Sequence, residues 1–299
     1  MKRAVSVSIG SSTRDKVVEI KLLGERVRIE RIGTDGDMEA AAGLFRDLDG
    51  HVDAFGVGGA DLAIVVDGHA YPLYSARSLV RHVRKTPYVD GAGLKNTLEY
   101  QLAGVIEQAF GDQVQPKRAF INLGSDRWGM SRGFADAGYE CLFGDLMFAL
   151  GLNVPLRSLK AVKRVARLLL PIVGRIPIAW LYPTGKDQEK RTPRWVSAFD
   201  WASVIAGDAL YITRYMPERL PGKIVAANTT TPADVQLFRQ AGVKALVTST
   251  PVLEGRSFGT NMMEAALVAV AGKGRALTHA ELQDLLDRLK LKPQIQILN

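Results

Sequence analysis

The stretch Arg118-Ala119-Phe120-Ile121-Asn122-Leu123-Gly124-Ser125-Asp126-Arg127-Trp128-Gly129, then a helical run to Ala137, then Glu140-Cys141-Leu142-Phe143-Gly144-Asp145, decides the fold. An apolar run ending in glycine, an amphipathic segment and a second apolar run ending in an acid form a strand-loop-helix-strand unit, the repeating piece of parallel sheets. Gly124 and Gly129 have the separation of the outer glycines of a dinucleotide fingerprint, and Asp145 stands 21 positions after Gly124, where an acid would hold a ribose. Asp126 takes the place of the middle glycine. There the backbone must approach a pyrophosphate, which a carboxylate would repel.

The same rhythm extends outward. Short apolar runs predict strands at Ala4–Ile9, Val17–Leu22, Val27–Ile32, Val52–Val57, Pro87–Val89, Arg118–Leu123, Glu140–Phe143, Val204–Ala206, Lys223–Ala227 and Ala245–Thr248. Three- and four-residue apolar spacing predicts helices at Asp37–Leu48, Leu94–Phe110, Gly129–Ala137, Pro232–Ala241, Asn261–Ala271 and His279–Leu289. Leu62–Val66 and His69–Leu73 flank Asp67-Gly68, a dipeptide suited to a tight hairpin turn. The expected fold is α/β with two domains: mostly parallel sheets, an antiparallel hairpin in the first domain and a Rossmann-like second domain. Gly111–Pro116 is the natural boundary, with a substrate-side α/β domain over 1–113 and a Rossmann-like domain with C-terminal helices over 114–299.

A chain of 299 residues with 47% hydrophobic content excludes disorder and a miniature stapled scaffold. Cys141, the single cysteine, closes no intramolecular disulfide, and His51, His69, His82 and His279 lack zinc-site spacing, so no metal is expected. A reduced, cytoplasmic location follows. The start, Met1 to Gly10, alternates apolar and polar residues as a strand does and lacks a signal peptide's apolar core. No run reaches the roughly 18 apolar residues of a membrane span, so the expectation is a soluble protein without integral membrane contact. Between Leu152 and Ser197 ten basic residues face two acidic ones, which accounts for the whole net charge of +8. No nucleic-acid-binding signature accompanies this segment, and nucleic acid is not an expected partner. Within it, Leu156–Leu170 reads as an amphipathic helix, apolar at 156, 159, 162, 165, 166 and 169 and basic at Arg157, Lys160, Arg164 and Arg167. A core-packed helix with a solvated basic face is the commoner reading, and contact with an anionic membrane surface the rarer one. Leu181–Trp195, charged and rich in glycine and proline, reads as a lid or an exposed connection.

In open α/β sheets ligands bind beyond the carboxyl ends of the strands. Candidate cofactor residues are therefore Gly124, Ser125, Arg127, Gly129 and Asp145, with Thr229 and Thr230 after a later strand, and the implied cofactor is NAD or NADP. Asp90-Gly91-Ala92-Gly93 opens a second loop, after which Lys95 and Asn96 start a helix. Asp90, Lys95 and Asn96 are the catalytic candidates, with Lys95 a proton-transfer group if burial or a neighbouring cation depresses its pKa. A solvated helix lysine is the plain alternative. Ser11, Ser12 and Arg14 after the first strand, and Arg256 and Ser257 before the helix at Asn261, suit a carboxylate or phosphate. Hydroxyls at such places are more often caps, and Asp35 and Asp37 read as acids complementing a helix dipole. The expected partner is a small anionic metabolite, with homo-oligomerisation left open.

The segments Ser8–Lys16, Gly33–Asp37, Asp90–Glu99, Gly144–Phe148, Tyr182–Arg194 and Gly255–Glu264 together resemble a bacterial family known as quinate 5-dehydrogenase, nearly over the whole chain. The resemblance implies nicotinamide-dependent hydride transfer at a ring hydroxyl of a polyhydroxylated carboxylic acid. The Asn-Val-Thr-x-Pro-x-Lys segment and the intact glycine fingerprint of characterised quinate and shikimate dehydrogenases are absent, so no residue role is carried over. Two readings result: an NAD(P)-dependent oxidoreductase of the quinate or shikimate type, and a two-domain protein that binds or converts a small anionic metabolite without redox chemistry.

Overall fold

Each of the ten apolar runs forms a strand close to its expected bounds. A computed structural model describes residues 1–177, 191–250, 252–253 and 256–299, with 252–253 and 256–257 described by their backbone. The strands are β1 (Lys2–Ser8), β2 (Lys16–Leu22), β3 (Glu25–Gly33), β4 (Ala54–Gly58), β5 (Ala63–Val66), β6 (His69–Pro72), β7 (Tyr88–Val89), β8 (Arg118–Ile121), β9 (Glu140–Phe143), β10 (Val204–Gly207), β11 (Ile224–Ala227), β12 (Ala245–Thr248), β13 (Val252–Leu253), β14 (Arg256–Ser257) and β15 (Gln294–Ile297). The helices are α1 (Met38–Leu48), α2 (Tyr74–Arg77), α3 (Ala92–Thr97), α4 (Leu102–Phe110), α5 (Trp128–Asp136), α6 (Asp145–Leu150), α7 (Leu159–Val173), α8 (Val196–Trp201), α9 (Ala209–Tyr215), α10 (Pro232–Gln240), α11 (Thr260–Ala271) and α12 (His279–Leu289). They assemble into two compact units, each built from separated pieces of chain. One comprises Met1–Leu94, Leu168–Gln188 and Gly259–Leu291, and the other Lys95–Arg167, Glu189–Phe258 and Lys292–Asn299.

In the first unit the strand order is β2-β3-β1-β4-β7, with β1 parallel to β3 and β4, and only the edge strand β2 antiparallel. Side chains alternate across a strand. Val5, Val7, Phe55 and Val57 therefore point to one face and pack with Phe45 of α1 and with Leu73 and Leu79. Ser6 and the glycines of β4 point to the other, where α11 lies close enough for Asn261 Nδ2 to reach Ser6 Oγ at 2.7 Å. β5 and β6 form the expected antiparallel hairpin, with Asp67 and Gly68 both at positive φ.

The second unit has the order β15-β12-β11-β10-β8-β9, parallel throughout except for the edge strand β15. β10, β11 and β12 are buried at every position, as two-sided coverage of a parallel sheet requires. Phe120, Phe199, Ile205, Ile212, Val225, Phe238 and Leu246 form one continuous core. β8 comes first in the chain but sits between β9 and β10, so the chain winds one way to β9 and then returns past β8 to β10. The carboxyl ends of β8 and β10 thus flank a topological switch point.

Some expectations change. The single helix expected over Leu94–Phe110 is α3, a tight 3₁₀ turn at Glu99–Gln101, and α4. The break falls where a carboxylate, Glu99, is carried into the interior, which apolar spacing cannot foretell. The basic helix runs over 159–173 rather than 156–170, because Leu156 is held in a backbone bridge to Phe143. Its buried residues are Val162, Ala166 and Leu170. Of the proposed lid, residues 181–190 lie outside the described residues. At its far end Trp195 packs on Phe148 and Tyr215 with ring centroids 4.6 and 5.0 Å away.

Candidate functional site

The strands of the second unit bring together the loops that follow them, and the polar residues of those loops face one another at the switch point. After β8 comes the Gly124–Arg127 loop, after β9 Asp145, after β10 Asp208, and after β11 Asn228. Asp208 caps α9, its Oδ1 accepting from Leu210 N at 2.9 Å. Its Oδ2 accepts from Arg127 Nη2 at 2.7 Å and from Asn228 Nδ2 at 2.8 Å.

Arg127 is the hub. Its Nη1 donates to Glu99 Oε1 at 2.8 Å, and its Nε lies 3.0 Å from Asp126 Oδ2. Lys95 Nζ donates to Asp126 Oδ1 at 2.9 Å. Two cations thus hold three carboxylates, with Lys95, Arg127 and Glu99 buried while Asp126 and Asp208 keep 14% and 23% of their side-chain surface open. A planar guanidinium suits this place, because it can address several carboxylates from fixed directions. Burial pushes the Glu99 carboxyl above the usual carboxylate range, against the pull of Arg127 and Lys95. Burial also raises the Tyr211 phenol, helped by the charges of Asp208 and Asp126. The group is not a magnet for anions, since its cations are matched or exceeded by its own carboxylates.

Asp145 turns inward. Gly124 N donates to its Oδ2 at 3.0 Å and Ser125 N to its Oδ1 at 2.8 Å. Burial lifts its carboxyl above the usual range even though Ser125 and Gly124 bond to it. The fingerprint glycines serve packing. A Cβ on Gly124 would stand 2.7 Å from Phe143 Cδ1, and one on Gly129 only 2.1 Å from the Lys95 carbonyl oxygen. A dinucleotide needs the loop amides for its pyrophosphate and the acid for its ribose. Here the acid and the amides are bonded to each other, and Asp126 is tied into ion pairs at the middle position. The residues of this loop do not fit a pyrophosphate. Among the described residues, no group of three His, Cys, Asp or Glu side chains is placed to hold a metal ion.

The remaining candidates are placed as follows. Lys95, Ser125, Arg127 and Asp145 meet in the second unit, and Asp126 joins Lys95 to Arg127. Asn96 is half-buried, its Cα beside Gly129. Thr230 is buried and Thr229 half-buried after β11, where Thr231 caps α10 in a capping box. Asp90 lies in the first unit, tying its loop to the hairpin by accepting from Leu62 N at 2.8 Å and Ala92 N at 3.1 Å. Ser11 caps a short 3₁₀ turn, Ser12 N donates to Asp35 Oδ1 at 2.8 Å, and Arg14 is exposed. Asp37 caps α1. Arg256 and Ser257 form β14, antiparallel to β13, and their side chains lie outside what is described. Three members of the cluster escaped the sequence reading: Glu99, Asp208 and Asn228. Asp208 had a signal, since it ends an apolar run as Asp126 follows another. Glu99 had none.

The chain belongs to the family Domain of unknown function (DUF8754), which matches residues 93–298, while Domain of unknown function (DUF8753) matches residues 3–90. No curated protein matches it. Among solved structures it is similar to one assigned as a malic enzyme (malate oxidoreductase), at 10% identity and TM-score 0.39, covering 95% of this chain and 76% of that one. The malic enzyme of Entamoeba histolytica gives 12% and 0.38, covering 84% of this chain and 51% of its own. A galactofuranose binding protein gives 11% and 0.32, covering 97% and 99%.

Proposed function

We propose that this chain binds, and in an enzymatic reading converts, a small polyhydroxylated metabolite at the carboxyl ends of β8 and β10, with no dinucleotide in the loop after β8. The observation that carries this is Asp145, which takes the Gly124 and Ser125 amides for itself. With those donors engaged, the chemistry left open is the partly exposed edges of Asp126 and Asp208, backed by Arg127, Lys95 and Asn228. Carboxylates accept from hydroxyls, and an amide both donates and accepts, so such an edge suits a hydroxyl-rich molecule. Because its cations are already neutralised, the edge has little attraction for a ligand recognised by negative charge alone. Should the bound molecule be converted, the Lys95–Asp126 pair is the group placed to move a proton.

A second reading, NAD(P)-dependent oxidation of a hydroxyl on a polyhydroxylated acid of the quinate type, draws on the switch-point order of β9, β8 and β10, where nucleotides bind in folds of this kind. One measurement separates the two. Calorimetric titration and thermal shift with NAD, NADP, quinate, shikimate and neutral sugars are expected to show stabilisation by a hydroxylated ligand and none by either dinucleotide. A ligand at a hundred times its dissociation constant stabilises by about 2.7 kcal/mol, well within reach of a thermal shift. Binding of NAD or NADP at millimolar concentration or tighter would overturn the first reading in favour of the second.

A further inference from the structure

The ligand site leaves unused the most basic element of the chain, α7. From residue 146 to residue 186 the sequence holds no Asp or Glu, and five of the cations in this interval, Arg157, Lys160, Lys163, Arg164 and Arg167, fall on α7 or just before it. All five are exposed. Lys160, Arg164 and Arg167 have no carboxylate partner among the described residues. The helix also exposes Leu168 at 71% and Ile172 at 62%, and no other large apolar residue described is as open as Leu168. Residues four apart on a helix follow one another in a row. Lys160, Arg164, Leu168 and Ile172 therefore make one continuous outer row, cationic in its first half and aliphatic in its second, opposite the buried row of Val162, Ala166 and Leu170.

A merely solvated helix face accounts for the cations but not for two adjacent large aliphatics left in water. We propose that α7 docks on an anionic lipid surface, with Leu168 and Ile172 entering the boundary between headgroups and acyl chains and the cations of the row meeting lipid phosphates. An anionic membrane surface offers both halves of the row what they need. A nucleic acid backbone would satisfy Lys160 and Arg164 but leave the aliphatics wet. A second copy of the helix would set cation against cation if parallel and cation against aliphatic if antiparallel, supplying a counter-charge in neither case. No helix among the described residues is long and apolar enough to cross a membrane, and α7, about 22 Å long at the usual rise, suits docking in the plane of the surface.

The test is co-sedimentation of the full chain with vesicles of phosphatidylcholine alone and of phosphatidylcholine mixed with phosphatidylglycerol. The expected result is sedimentation with the anionic vesicles only, weakening as salt rises. Lys160→Glu with Arg164→Glu should weaken the binding by about tenfold or more, since each basic residue near an anionic surface carries roughly a fivefold share. Leu168→Ser with Ile172→Ser should weaken it by about tenfold, and more visibly at high salt, where the aliphatic contribution persists. All four positions are exposed, and unchanged thermal melts of the variants would show that the fold is intact. Absence of sedimentation with anionic vesicles at low salt would overturn the proposal. So would binding that the charge reversals abolish but the serine pair leaves unchanged, particularly if heparin or duplex DNA is retained equally well. That pattern would mark a general polyanion face.

Discussion

Replacing Arg127 with methionine lowers the free energy of unfolding by about 3–5 kcal/mol, the range found when one partner of a buried ion pair is removed. Methionine keeps much of the aliphatic stem, so the loss reports on the guanidinium rather than on a cavity. Three carboxylates lose their shared cation at once: Glu99, Asp126 and Asp208. Lysine at this position should recover little, because one ammonium cannot reach three acceptors from the directions of a planar fork. Urea unfolding at neutral pH checks the magnitude, and a loss under about 1 kcal/mol would mean the network contributes no more than an exposed pair does.

Glu99→Gln, in contrast, should be tolerated, and its effect should depend on pH with a definite sign. The Glu99 carboxyl is held above its ordinary value of 4.5 by burial. The fold therefore favours the protonated form. The stability this group contributes is fully present below pH 4.5 and is lost as pH rises through the folded value. Glutamine mimics the protonated form at every pH. The unfolding free energy of the wild type relative to Glu99→Gln should accordingly fall as pH rises from about 4 toward neutrality, a comparison in which the titrating groups distant from Glu99 cancel. A flat difference across that range, measured by urea midpoints, would show that Glu99 is no harder to ionise in the fold than out of it.

What could be read in the chain beforehand, and what could not, divides along the range of the interactions. The β8-loop-α5-β9 unit was legible because each part is local: an apolar run, a glycine, a 3.6-residue period and a second run. β9 and β12 have the bounds expected of them. β15 was not legible, since Gln294-Ile295-Gln296-Ile297 is exposed at all four positions and owes its strand to pairing with β12. The two discontinuous units leave no linear mark either, because each closes through pieces of chain far apart in sequence. Within the site, Lys95 and Arg127 announced themselves as cations at the start of helices. Their partners did not, for Glu99 lies 28 residues from Arg127 and Asp208 lies 81 away. Asp145 is the sharpest case. An acid 21 residues after Gly124 occupies the same linear position whether it grips a ribose or folds back on the loop amides, and only its burial and its two short bonds distinguish the outcomes.

Asp145→Ala should remove between about 2 and 6 kcal/mol of stability, because two buried amides, Gly124 N and Ser125 N, lose their acceptor and each unmade bond costs roughly 1–3 kcal/mol. The substitution also supplies its own control. Alanine leaves a space the size of the missing carboxylate, lined by two donors pointing into it, and formate is the smallest anion with the same two oxygens. Formate should therefore raise the thermal midpoint of Asp145→Ala in a saturable way and leave the wild type unmoved, by the ordinary linkage of ligand binding to the folded state. NAD and NADP should do neither, since the space is enclosed and carboxylate-sized. If formate fails to restore the variant while either dinucleotide stabilises the wild type, the loop after β8 is open to phosphate and Asp145 is not its resident anion. If formate alone restores it, the pairing of Asp145 with the loop is the reason a strand-glycine-helix-acid pattern can stand in this chain without a dinucleotide.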